Sequence, residues 1–170
     1  MPSDDAERPG PAPRQRRGLV VGLVVGVVAL DQVTKAWAAD ALPGAPVHLI
    51  DGTVELRLAR NTGSAFSLFQ TLTPVLAVVA VAVALILVRA VRRAEDRWVL
   101  VALALVLGGA LGNVADRLFR SPGWLRGAVV DFIRLDGWPT FNVADSAITI
   151  GAVLLAAWSL FGGRRRPTSP

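Results

Sequence analysis

Two aspartates in this chain sit where their surroundings could make them chemically unequal. Asp131 lies in VVDFI, a carboxylate with apolar residues on both sides, and Asp145 follows FNVA at the mouth of an uncharged run reaching Leu160. Desolvation at the first position favours the neutral acid and raises its pKa. At the second, the partial positive charge of a helix N-terminus favours a negative charge. A pair held in those two states suits general acid–base hydrolysis: one group takes a proton from water, the other protonates or polarises a carbonyl. Each also has an ordinary explanation, Asp145 as a first-turn helix acid and Asp131 as an exposed loop acid. Fourteen residues of separation do not by themselves bring the two together.

Other chemistries are poorly served. The chain has no cysteine, which excludes disulfides, thiol catalysis and thiolate metal ligands. His48 is the single histidine, so it is the only possible base of a serine–histidine–aspartate arrangement, and a zinc site would lack partners. Its place in an alternating segment makes it a surface residue of a strand. No phosphate-cradling glycine loop is present, and neither metal nor cofactor is expected.

Further polar residues fall where they are costly. Asp31 lies roughly 20 Å along an apolar helix from Gly18, at about 1.5 Å per residue. Lys35, the only lysine, follows at the (i, i+4) spacing that lets acid and base face each other. Two readings carry equal weight: a self-neutralising pair with Lys35 snorkelling outward, or a direct functional role. In GGALGNVADRLF, Gly108 and Gly112 bare one helix face for close approach of another helix. Asn113, Asp116 and Arg117 then form a polar stripe that packing alone explains poorly, since leucine would pack at less cost.

The elements that must position these residues are membrane spans. At 53% hydrophobic the 170-residue chain exceeds the roughly 45–50% of soluble domains, and the excess is concentrated in blocks. Gly18 to Ala39, Thr71 to Val88, Trp98 to Ala115 and Ser146 to Gly163 each approach the about 20 apolar residues that cross a hydrocarbon core. The expected fold is an all-α polytopic membrane protein with four transmembrane helices, a small extracytoplasmic β-hairpin or sheet and a surface helix. Residues 1–17 read as a disordered cytoplasmic tail, 18–163 as the membrane domain and 164–170 as a basic tail. Residues 14 to 38 also resemble a secretory signal with Ala36-Trp37-Ala38 as cleavage site. Asp31 and Lys35 interrupt that pattern, so the first span is expected to stay.

Charge orients the spans. Eleven arginines lie in the N-terminal segment, between spans two and three, and at the C-terminus, against six in the two remaining loops. The positive-inside rule puts both termini in the cytoplasm and residues 40 to 70 and 116 to 145 outside. The net charge of +5 is spread around spans, which argues against a nucleic-acid partner. In the first outer segment Val54, Leu56 and Leu58 alternate with polar residues, and Asp51-Gly52 can turn that strand back on Val47 to Ile50. SAFSLFQTL suits a surface helix. The second outer segment reads as mostly loop with one short apolar element, AVVDFI. Trp37, Trp124 and Trp138 are expected near the outer interface and Trp98 near the inner one.

DQVTK, NTGSAF, GGALGNVADR, VVDF and FNVADS, in this order between about Asp31 and Ala147, together resemble the lipoprotein signal peptidases, also called signal peptidase II. The resemblance implies an aspartic endopeptidase of the bacterial inner membrane, inhibited by globomycin, with its active site near the extracytoplasmic face. It implies a prolipoprotein substrate, cut before a cysteine carrying diacylglyceryl, with membrane lipids as the other partners. Asp131 and Asp145 take the catalytic pair's positions; which activates water and which donates a proton stays open, because a dyad titrates as a unit. Asn61, Gly63, Ala65, Asn113 and Arg117 fall on substrate-contacting or site-shaping positions. Asp31, Lys35, Asp116 and Asn142 fall on supporting ones. LFRSPGWLRGA is longer than the family pattern leads one to expect. Oligomeric state is open, a monomer being compatible. The rival class is a small transporter or channel subunit with Asp31, Lys35, Asn113 and Asp116 along a polar path; it leaves Asp131 without a purpose. A purely structural membrane protein would tolerate alanine at all these positions.

Overall fold

Alanine, valine and leucine dominate the apolar runs, and no proline interrupts the chain from Val75 to Phe119. Inside a bilayer such segments must satisfy every backbone group internally, which a helix does. The computed structural model describes residues 13–50, 52–63 and 73–162. It comprises α1 (Pro13–Ala41), β1 (Val47–Ile50), β2 (Val54–Asn61), α2 (Thr73–Arg93), α3 (Arg97–Phe119), β3 (Val129–Leu135) and α4 (Val143–Phe161). All four helices are long and apolar enough to cross a membrane. The protein is a multi-pass membrane protein.

The helices overrun the hydropathy blocks. α1 starts at Pro13, not Gly18, because proline suits a first turn and the arginines after it are good helix formers. α3 continues to Phe119, so Asn113, Asp116 and Arg117 are helical, and the first two find partners inside the protein. α4 begins at Val143, three residues before Ser146. Hydropathy reports bilayer depth, whereas caps set helix ends. Asp96 illustrates the second, its carboxylate accepting from Trp98 N at 2.8 Å and Val99 N at 3.1 Å. The tail at 1–12, the segment 64–72 that includes SAFSLF, and residues 163–170 lie outside the described residues.

α3 is the hub, packing on α1, α2 and α4. A Cβ at Gly108 would sit 2.8 Å from Val27 Cβ, and one at Gly112 would sit 2.6 Å from Asp31 Oδ2. The expected close approach at these two glycines is therefore to α1. Gly109, on the neighbouring face, sets the approach to α4, where a Cβ would strike the Ala144 carbonyl oxygen. Gly109→Ala is expected to lower the thermal midpoint in detergent, with overpacking costing about 1–3 kcal/mol. Gly22→Ala, whose Cβ would meet nothing within 4 Å, is expected to melt as wild type.

The sheet packs on α1 and α3, with antiparallel order β1-β2-β3. The hairpin is where the alternation places it, turning through Gly52 at φ +69. The short apolar element AVVDFI, set apart from the surrounding loop, is a strand. It forms the body of β3, pairing Ala59 with Asp131 and Asn61 with Val129 beyond a bulge in β2. That register makes Asn61 and Asp131 diagonal neighbours on one face. Ala38, Leu42 and Phe132 are buried beneath the sheet, with Leu56, Leu58, Ile133 and Val143 around them. Trp37 meets Phe132 edge-on at 6.3 Å.

Candidate active site

The site is assembled around a helix cap. Asn142 is the N-cap of α4, and its Oδ1 accepts from Asp145 N at 3.0 Å. Asp145 Oδ2 reciprocates, accepting from Asn142 N at 3.2 Å, a capping box that fixes the carboxylate against the first turn. The first-turn position expected for Asp145 is thus its position, but its other oxygen is engaged as well. Oδ1 accepts from Asn113 Nδ2 at 2.8 Å.

Asn142 has a second task. Its Nδ2 donates to Asp131 Oδ1 at 2.6 Å, so one buried amide joins β3 to α4 and holds both aspartates in one geometry. Asp131 Oδ2 accepts from Asn61 Nδ2 at 3.1 Å. Asn61 is oriented in turn by Gly63 N, which donates to its Oδ1 at 2.8 Å from a backbone at φ +87. A side chain at Gly63 would meet both that left-handed strain and Leu76. Ala65 lies outside the described residues.

Asp131 is 3% exposed, which rules out an exposed loop acid. Burial pushes its carboxyl up to about 6, against the pull of the Asn61 and Asn142 amides and of Lys35, with the charge of Asp145 adding to the rise. This is the direction that VVDFI suggests.

Behind the pair lies a buried ionic cluster. Lys35 Nζ donates to Asp31 Oδ2 at 2.8 Å, to Asp116 Oδ2 at 2.9 Å and to Asn113 Oδ1 at 2.8 Å, using all three of its protons. Asp31, Lys35 and Asp116 are each 0% exposed, so Lys35 turns into the protein and does not snorkel outward. Each cluster carboxylate also grips the backbone beside a site aspartate. Asp31 Oδ1 accepts from Ala144 N at 2.9 Å, one residue before Asp145. Asp116 Oδ2 accepts from Val130 N at 3.2 Å, one residue before Asp131.

Two members of the cluster were missed by sequence reasoning. Arg120 Nε donates to Asp116 Oδ1 at 2.6 Å, an (i, i+4) pair whose spacing was a usable signal. Gln32 Nε2 donates to Asp31 Oδ2, Gly112 O and Asp116 Oδ1, each at 3.1 Å, and an amide inside an apolar span was itself a cue. Arg117 stands apart: its Nη1 is buried with no acceptor among the described residues, and its charge acts on Asp131, Asp116 and Asp145. Such a donor is suited to a developing oxyanion. No three acidic or histidine side chains converge as metal ligands among the described residues.

Comparison with known proteins places this geometry in context. A family model described as signal peptidase (SPase) II matches residues 23–161. A lipoprotein signal peptidase of Mycolicibacterium smegmatis is 48% identical, the match covering 96% of this chain and 72% of the relative. One from Rhodococcus jostii is 48% identical over 91% of this chain and 78% of the relative. One from Mycobacterium tuberculosis is 45% identical over 89% and 76%. A solved bacterial membrane enzyme, determined by the in meso method at 2.3 Å resolution, superposes with a TM-score of 0.72 and 28% identity, covering 90% of this chain and 94% of the other.

Proposed function

Because the chain belongs to the signal peptidase II family, we propose that it works as an aspartic endopeptidase with Asp131 and Asp145 as the reacting pair. It removes signal peptides from prolipoproteins in the membrane. The observation that carries the catalytic assignment is the shared amide of Asn142, which joins a capped first-turn carboxylate to a buried one. Asp145 activates a water, which attacks the scissile carbonyl and gives a tetrahedral diol. Asp131, in its protonated form, donates to the carbonyl oxygen; as the C–N bond breaks it takes that proton back from the diol, while Asp145 passes the proton it took from water to the leaving amine. Arg117 Nη1 supplies a second donor to that oxygen. No covalent intermediate is needed.

The substrate's cysteine carries diacylglyceryl, and its acyl chains lie in the bilayer beside the spans. The positive-inside bias puts the termini in the cytoplasm and the sheet with its two aspartates on the outer side. The rival transporter reading loses its motive. Asp31, Lys35 and Asp116 spend their polar atoms on one another and on backbone groups, with no exposure to a solute.

The test is the pH profile of cleavage of a diacylated prolipoprotein. A carboxyl raised to about 6 is protonated below that pH and ionised above it. Cleavage that uses the protonated form therefore falls as pH rises through about 6. Asn61→Ala removes a donor that favours the charged form. Its alkaline limb is expected at higher pH than that of wild type. Activity that rises through this range, or a limb that Asn61→Ala leaves in place, would remove Asp131 from the acid role.

A further inference from the structure

Beside the first turns of α1 and the last turns of α2, the helices leave an opening. α1 and α2 both pack on α3, but among the described residues they do not pack on each other. Between them runs a groove of about 1040 Å³, at the upper end of the roughly 300–1,000 Å³ of ligand pockets. Leu100 and Leu107 of α3 form its floor, about 10 Å apart along the helix. Val21 on one wall and Val88 on the other complete an apolar channel.

The mouth has a different chemistry. Arg16 and Arg17 approach it from α1, and Arg92 and Arg93 from α2, against the single acid Glu95. The orientation of the spans does not account for this convergence. Arg89 and Arg97 lie near the same helix ends and would orient the chain equally well, yet they do not line the groove. Arginine presents a planar array of donors that matches phosphate oxygens, and basic pockets between spans favour anionic headgroups. A signal-peptide helix is a poor occupant, since its basic leading segment would be set among arginines.

We propose that this groove binds an anionic phospholipid, its phosphate held between the arginines of α1 and α2 and an acyl chain laid along Val21 and Val88, above the buried Leu100 and Leu107. The lipid then supplies the contact between α1 and α2 that is lacking among the described residues. It ties down α2, which packs on α3 alone among the described helices. The leaflet follows from the orientation proposed above; the choice of lipid does not depend on the catalytic assignment.

The experiment is thermal unfolding of the full chain in neutral detergent, titrated with phosphatidylglycerol, phosphatidylcholine or glycerol 3-phosphate. Wild type is expected to show a saturable rise in midpoint with phosphatidylglycerol alone. The R17Q/R92Q/R93Q variant, altered only at helix ends, is expected to need about tenfold more of that lipid or beyond. An equal response to phosphatidylcholine, an equal response to the free headgroup, or an unchanged titration in the variant would each overturn the proposal. A photocrosslinker placed at Val88 in membranes gives an independent readout. A phospholipid adduct is expected there, and an adduct with a signal peptide or a second copy of the chain would assign the groove to that occupant instead.

Discussion

Asp131→Asn and Asp145→Asn are each expected to lower cleavage of a diacylated prolipoprotein by about 10²–10⁴-fold, the range removed with a general acid or base. Neither change alters side-chain size, so the loss should reflect chemistry before packing. Each does place an amide donor among donors. Asp131 accepts from Asn61 and Asn142, and Asp145 from Asn113 and the Asn142 backbone. A mismatched donor in such a site costs about 1–3 kcal/mol of stability. Thermal midpoints in detergent must therefore accompany the rates, and Asp40→Asn, at an exposed acid on α1, serves as control. A folded variant at either position that retains substantial cleavage would sink the pair assignment.

Lys35→Met should unfold or cripple the protein for a different reason. It leaves Asp31 and Asp116 facing each other without their shared cation, both fully buried. Removing one partner of a buried ion pair costs about 3–5 kcal/mol, because the remaining charge has no solvent to turn to. The same two carboxylates hold the backbone N–H groups of Ala144 and Val130. Loss of stability and loss of cleavage should therefore appear together. The double variant Asp31→Asn with Lys35→Met removes one negative charge and keeps an acceptor for Ala144 N. It is expected to recover much of the thermal midpoint lost by Lys35→Met alone. A Lys35→Met protein with wild-type melting and cleavage would show that the cluster supports neither.

Some of this was legible in the residues. The four spans follow from the bilayer's thickness, which any long uncharged run of alanine, valine and leucine must match. The hairpin follows from period-two alternation on either side of Asp51-Gly52. Asp31, Lys35, Asn113 and Asp116 were conspicuous because ionisable and amide groups in apolar segments need a reason to be there. The glycine face of α3 was legible too, through Gly108 and Gly112, although its target was not. The third strand was legible only as a short apolar element, because β3 is buried along its first four residues and so shows no alternation to mark it as a strand.

The sequence by itself determined the solvent of each segment: which parts lie in lipid, which form the hairpin, and which polar residues must find partners within the protein. Those properties depend on local composition and period, which survive without knowledge of the fold. Only the tertiary structure decided who the partners are. Asp31 reaches Ala144, and Lys35 reaches Asn113 and Asp116, across helix interfaces whose separation is set at Gly108, Gly109 and Gly112. Asp131 and Asp145 share an environment because Asn142 caps one helix while bonding to a strand from another part of the chain. A hydrogen bond needs its atoms within about 3 Å, and such a distance between segments remote in sequence is a property of packing, which no spacing along the chain encodes.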